Sequence, residues 1–323
     1  MAIIKLTSVC KDYIWGGNKL REEYHKGGAE GKCVAESWEL SCHVAGESVI
    51  SEGEFAGRTL QEYITWEGKK VLGKNCMRFT NFPILIKFID AKENLSIQVH
   101  PNDEYALNKE GEYGKTEMWY VVDCEEDAFL YYGFSKSISK EEFARRIEED
   151  TLLEVLNKVP VKKGDAFFIE AGTIHAIGKG IVIAEIQQNS NLTYRVYDYG
   201  RIGADGKKRD LHIEKALEVT NREPKLCQKS FEPHLGECNY FTVDKLTLDG
   251  RFMKKMEGFV DESSFLHILV LNGKGTITKD QTVSFEKGDS VLITASTGEY
   301  EISGECEALL TTIPYTMQEK AAI

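Results

Sequence analysis

Residues 161–177 read VKKGDAFFIEAGTIHAI, and residues 285–302 read FEKGDSVLITASTGEYEI. Each begins near a Lys-Gly-Asp triplet, continues through strand-forming residues and ends in a turn of small residues. A Gly-Asp pair suits a tight turn: glycine takes left-handed backbone without steric cost, and aspartate hydrogen-bonds its own backbone. One such string in each half predicts two related β units, residues 1–223 and 224–323, divided near Glu223-Pro224. Two ordinary β-turns could match by chance, so the rest of the chain has to agree.

Between and around these strings run short segments such as ILIKFID, LSIQVHP, MWYVVDC, AFLYYGF, IVIAEIQ, LTYRVYD and FLHILVL. They are rich in β-branched and aromatic residues and are bounded by Gly, Asn, Asp or Pro. Many short strands with turn signals between them predict a mainly β fold: a sandwich, barrel or jelly roll. Helical segments read as covers over the sheets. Ser139 with Glu142 three residues later suggests a capping box opening a helix over 139–157. Asp210 can cap a helix over 210–220, with Ile213, Ala216, Leu217 and Thr220 on one stripe. Another helix is expected around 59–71.

The 323 residues suffice for one large domain or two ordinary ones, and an apolar content of 42% is that of a globular chain. A net charge of −12 argues against nucleic acid and anionic membrane surfaces as partners. An anionic substrate would then need basic residues gathered locally against the global field. No apolar run reaches the length of a membrane span, and the opening MAIIKLTSVCKDY lacks the core and cleavage site of a signal peptide. The eight cysteines are scattered with no C-x-x-C pair, which predicts reduced thiols in a cytoplasmic protein and no cysteine metal site.

Side chains two apart on a strand share a face, so Gln98 and His100 in LSIQVHP project together while Val99 enters the opposite layer. A core histidine with one hydrogen bond would explain this pair alone. Glu117 opens the apolar strand MWYVV, where a carboxylate is either at a wet strand end or bound inside. His175 follows the tight Ala-Gly-Thr-Ile turn and can be presented at a barrel mouth. Two histidines, a carboxylate and an amide suit a borderline divalent metal; zinc is the first choice, with iron and manganese as alternatives.

The 161–177 string resembles the second cupin motif, with Gly164, Gly172 and His175 at the family spacing and Glu170 where proline is usual. The first cupin motif departs from its usual form, Gln98-x-His100 standing in place of His-x-His. Over nearly the whole chain the sequence resembles the type I mannose-6-phosphate isomerases in their shorter bacterial form. AESWELS, PILIKFIDAKENLSIQVHPND, GKTEMWYVVD and EAGTIHAIGKGIVIAEIQQNSNLTYRVYDYGR carry the likeness. The resemblance implies two cupin-type jelly-roll barrels and one Zn2+ per chain held by Gln98, His100, Glu117 and His175. It implies Arg195 as the catalytic arginine, Lys115 as the active-site lysine beside the ligand glutamate, and Lys87 as a further basic residue. The long members carry His before that lysine and Asp four residues before that arginine; here stand Gly114 and Asn191.

Such an enzyme moves a carbonyl between C1 and C2 of a sugar phosphate through an enediol. A metal would stabilise the charge developing on oxygen. The base could be metal-bound hydroxide, Lys115 or a nearby carboxylate, and the sequence does not choose. Arg195 shares a strand face with Thr193 and Tyr197, where it could grip a phosphate, steady an enediolate or pair with Asp198 or Glu185. Lys87 interrupts an apolar strand, either at an edge or facing a charged site, and Arg201 is a further phosphate candidate. In the second unit Glu299 falls where His175 lies in the first, and lone His267 reads as a core residue, so this unit is expected to carry no metal. A non-catalytic cupin that senses a sugar phosphate and an iron-dependent oxygenase are the competing readings. The sequence leaves monomer and homodimer open.

Overall fold

The structure is a computed structural model that describes residues 2–27, 33–203, 206–226, 230 and 232–316. It is mainly β, and the strands form three large antiparallel sheets. A six-stranded sheet runs in the order Ala166–Ile169, Glu117–Cys124, Ile181–Gln188, Ile84–Ala91, Glu36–Leu40, Val9–Lys11. A five-stranded sheet runs Leu156–Pro160, Phe129–Phe134, His175–Ile177, Ile97–Val99, Tyr194–Tyr197. The two face each other across a core of Ile89, Trp119, Val121, Leu130, Tyr132, Phe167, Ile177 and Ile183.

The strands Ile84–Ala91 and Ile181–Gln188 are buried at every position. Both faces of their sheet are covered. One closes the core just described. The other packs Ile84, Ile86, Phe88, Met118, Ala184 and Ile186 against Phe241, Val243, Leu269, Leu271 and Leu309 of the C-terminal sheet. That is why these strands read as continuous apolar runs rather than alternating ones. Lys87 therefore lies in a central strand on the inward face, not at an edge.

The third sheet has nine strands and includes Thr242–Asp249, Leu266–Thr278, Ser290–Ile293 and Gly298–Thr312. Its path continues into the N-terminal strands Ile3–Thr7 and Val49–Ile50. A division at Glu223-Pro224 thus does not separate the sheets cleanly, because Ile3 to Leu6 pair with Ile293 to Ser290. The edge of the C-terminal sheet is closed by the first strand of the chain.

The two Lys-Gly-Asp turns have one geometry. Gly164 has φ 93° and Gly288 φ 92°. Gly164 donates its N–H to Val121 O at 2.9 Å, and Gly288 to Val270 O at 2.9 Å. Asp165 accepts the Lys162 N–H at 2.9 Å, and Asp289 the Glu286 N–H at 2.8 Å.

Helices cover the outer face of the five-stranded sheet, where Phe143, Ile147 and Ala216 meet Ile97, Val99, Phe134 and Val196. Ser139 caps the helix Lys140–Glu148 by accepting the Glu142 N–H, but Glu142 turns to Arg146 and Lys136 instead of completing the box. This helix is shorter than the expected 139–157. Asp150 takes left-handed backbone, and after a 3-10 turn the chain becomes the strand Leu156–Pro160. The helix expected from Asp210 begins at Ile213 with His212 at its cap position. The full capping box belongs to Thr59 and Glu62, at the start of Leu60–Glu67. The seven described cysteines are free, and Cys227 lies outside the described residues. No helix among the described residues is long and apolar enough to cross a membrane.

Candidate active site

Two rows of side chains line the space between the facing sheets. On the five-stranded sheet Arg195 stands opposite Gln98, Gln98 opposite His175, and His175 opposite Tyr132. On the six-stranded sheet Trp38 stands opposite Lys87, Lys87 opposite Glu185, and Glu185 opposite Trp119. Residues directly opposite on paired strands project to the same side. Each row is therefore a consequence of register.

Ligating atoms of His100, Glu117 and His175, all buried, lie within 4.8 Å of one another. His175 Nε2 is 3.2 Å from Glu117 Oε1, His100 Nε2 is 3.8 Å from Glu117 Oε2, and the Gln98 amide is 3.4 Å from His175 Nε2. His100 Nδ1 lies 2.7 Å from Leu192 O and His175 Nδ1 2.8 Å from Thr173 O. A carbonyl can only accept, so each Nδ1 carries the hydrogen and each Nε2 presents a lone pair inward. Burial, reinforced by the Lys115 charge, holds both imidazoles neutral, His175 down to about 3. Both Glu117 oxygens are fully buried; Oε2 meets the Lys115 ammonium, and Oε1 faces the His175 lone pair with no hydrogen donor of its own. Neutral imidazoles with inward lone pairs and a buried carboxylate between them are the donor set a divalent cation takes.

Lys115 closes this cluster, with Nζ 2.5 Å from Glu117 Oε2, 3.2 Å from His100 Nε2 and 3.7 Å from Glu185 Oε1. Lys87 Nζ sits 3.3 Å from Glu185 and 3.6 Å from Glu36, over the Trp38 ring. Trp119 donates to Glu185 at 2.9 Å and Trp38 to Glu36 at 2.7 Å. Burial alone would raise the Glu185 carboxyl, but Lys115, Lys87 and the indole outweigh it and keep it ionised. Burial and the Glu185 charge push Glu117 upward against the pull of Lys115. For Lys87 burial works against the ammonium, and Glu36, Glu185 and Glu117 overcome it.

A cavity of about 260 Å³ opens beside this cluster, with Lys87, Gln98, Lys115, Glu185, Asn191, Thr193, Arg195 and Arg209 in its walls together with Tyr13, Trp15 and Glu36. Arg195 Nη1 donates to Asp210 O at 3.0 Å, and its buried Nε has no partner. Neither Asp198 nor Glu185 pairs with it. Asp198 instead takes Arg209 through Nε at 2.8 Å and Nη2 at 2.6 Å. Arg201 also pairs with Asp198 and reaches the Asn94 carbonyl, outside the cavity walls. Arg209, unmarked in the sequence within the solvent-like run GKKRD, takes the cavity-facing place expected of Arg201. Glu36 was named in the sequence only within AESWELS, with no role assigned to it.

In the C-terminal unit Glu299 is exposed, while His267 is fully buried and bonds Ser290 Oγ at 2.8 Å. Among the described residues the His100, Glu117 and His175 trio is the single grouping of its kind.

The chain is similar to known proteins along nearly its whole length. Residues 3–124 match the family model for phosphomannose isomerase type I, catalytic domain, and residues 232–313 that for the mannose-6-phosphate isomerase cupin domain. The mannose-6-phosphate isomerase ManA of Bacillus subtilis is 39% identical over 315 residues, covering 94% of this chain and 96% of the relative. The mannose-6-phosphate isomerase of Streptococcus mutans is 38% identical over 305 residues, covering 92% and 93%. The crystal structure of a mannose 6-phosphate isomerase from Bacillus subtilis superposes with a TM-score of 0.88 at 34% identity, covering 96% of this chain and 99% of that one. Across both of its units, then, this chain belongs to the type I mannose-6-phosphate isomerase family.

Proposed function

We propose that the chain interconverts mannose 6-phosphate and fructose 6-phosphate through an enediol, using one Zn2+ held by Gln98, His100, Glu117 and His175. The observation that carries this reading is the convergence of three buried donor side chains with Lys115 beside a cavity walled by two arginines. A bound divalent cation supplies Lewis-acid polarisation of the sugar's oxygens.

The chain's own groups do the rest. Glu185, ionised in the cavity wall with a free Oε1, takes the proton from C2 of the open-chain aldose and returns it to C1, while negative charge passes through the oxygens in between. Lys115 Nζ, beside the donor trio, donates a hydrogen bond to that charge and holds a proton ready for it. Arg195, on the strand next to Gln98, steadies the enediolate from the other side. Arg209, fixed by Asp198, takes the phosphate at the outer wall. Lys87 helps keep Glu185 ionised, sits 3.6 Å from Glu36 and adds positive charge to the cavity wall. Arg201 braces Asp198 and so supports Arg209 from behind. These cations give an anionic sugar the local attraction that a chain of net charge −12 otherwise denies it.

A coupled assay following fructose 6-phosphate, run on protein of measured metal content, tests the reading. Turnover should scale with zinc, and His100→Asn should lose metal and activity together. Fully metal-loaded protein without turnover, or activity that survives complete metal removal, would reject it.

A further inference from the structure

No metal trio lies among the described residues of the C-terminal unit, yet one of its side chains reaches the connector that carries Lys115. Tyr240 lies in the turn between the strands His234–Glu237 and Thr242–Asp249. Its hydroxyl donates to Asp103 Oδ2 at 2.7 Å. Asp103 Oδ1 in turn accepts the Gly114 N–H at 2.8 Å and the Gln188 amide at 2.8 Å. Gln188 Oε1 accepts the Thr116 N–H at 2.9 Å, and the Lys115 N–H goes to Pro101 O at 2.9 Å. All three consecutive backbone donors flanking and including Lys115 are thus tied down, two of them through the group that Tyr240 holds. The turn itself is anchored, since Arg78 donates to the Asn239 carbonyl at 2.6 Å.

We infer that Tyr240 is a positioning residue for Lys115: the C-terminal unit contributes to the reaction by holding, through Asp103, the segment from Gly114 to Thr116. A carboxylate receiving three hydrogen bonds is a strong anchor, because bonds to a charged acceptor exceed neutral ones. Without the Tyr240 hydroxyl, Asp103 keeps its two contacts to the first unit but can swing about them, and Gly114 swings with it. The Lys115 ammonium then loses its fixed distance to Glu117, and small misplacements of a reacting group are costly in rate. The inference rests on the proposed role of Lys115.

The test uses the zinc-loaded full chain and the variants Tyr240→Phe, Asp103→Asn, the double variant and Lys115→Met. Tyr240→Phe should lower kcat about tenfold, leave KM for mannose 6-phosphate within about twofold, and keep metal content and melting temperature near those of the parent. Asp103→Asn should also lose rate, and the double variant should be no slower than the slower single one, since the two side chains act as one unit. An unchanged kcat in Tyr240→Phe overturns the inference. So do losses that multiply in the double variant, or a loss of rate that only follows loss of metal. Turnover in Lys115→Met would overturn the role of the lysine itself. An inactive Lys115→Met beside a fully active Tyr240→Phe would overturn the strut alone.

Discussion

Arg195 is the residue whose roles diverge most between readings. Half-buried, with an unpartnered Nε and no carboxylate of the described residues in salt-bridge range, it is spare charge rather than a structural ion pair. Arg195→Ala should therefore retain fold and metal while kcat falls by about 10²–10³-fold, the usual cost of deleting a group that meets transition-state charge. Steady-state kinetics beside metal analysis would check it, and retained turnover would remove the arginine from the chemistry. His267 makes the opposite kind of prediction. Burial lowers its folded value to about 3 from 6.5, so the unfolded chain binds the extra proton between those limits. Its contribution to stability is fully present above pH 6.5 and is lost as pH falls toward 3. The advantage of the parent over His267→Gln in denaturant melts should shrink between pH 7 and 4.5, by at most about 1.4 kcal/mol per pH unit. A pH-independent difference would contradict this. At this scale the sequence was informative where period two applied: Gln98 and His100 do share the inward side, and Val99 does enter the helix-covered layer. Arg209 was illegible because no periodicity in GKKRD says which cation Asp198 will hold toward the cavity.

Between His100 and Glu117 runs a single connector, built around the helix Asp103–Lys109 with Asn102 capping it through the Tyr105 N–H. Both of its ends emerge at the donor trio, so its closure sets the spacing of two donors. Gly114 is the tightest point: a Cβ there would sit 2.4 Å from Asn102 C and 2.5 Å from Asp103 N, backbone atoms that cannot turn aside. Gly114→Ala should displace the connector and cost more in kcat, about tenfold or beyond, than in melting temperature. Equal kcat in the variant would mean that the connector's path is not what holds Lys115. Strands were easier to read than helices in this chain. Strand positions are fixed by alternation and by runs buried on both faces, as in Ile84–Ala91. The segment 139–157 misled because its capping signal was real at Ser139 while Glu148, Glu149 and Asp150 sat at the helix's negative end, where acidic residues oppose the dipole. Asn157 then bonds the carbonyls of Tyr132, Phe134 and Lys225, which fixes the following residues as a strand.

For the whole molecule the internal echo predicts two units, and one core cluster joins residues of both. The larger core cluster draws Ile86, Phe88, Tyr120 and Ile186 from the first unit and Phe241, Val243, Leu269, Leu292 and Leu309 from the second. A buried ion pair, Lys26 with Glu39 at 2.7 Å, lies in the same layer, and Ser290 bonds the Glu39 carbonyl at 2.8 Å across it. The first strand of the chain completes the C-terminal sheet beside Ser290–Ile293. An interface this apolar does not behave as a loose domain contact. The full chain should unfold in one calorimetric transition whose van't Hoff and calorimetric enthalpies agree. Residues 224–323 expressed alone should lack that transition and bind a hydrophobic dye, because they lose their edge partner and expose Phe241, Leu269 and Leu309 together. Two resolved transitions in the full chain, or a soluble fragment that melts cooperatively by itself, would show that the second unit is an independent domain and that its contribution to the site is only to lie next to it.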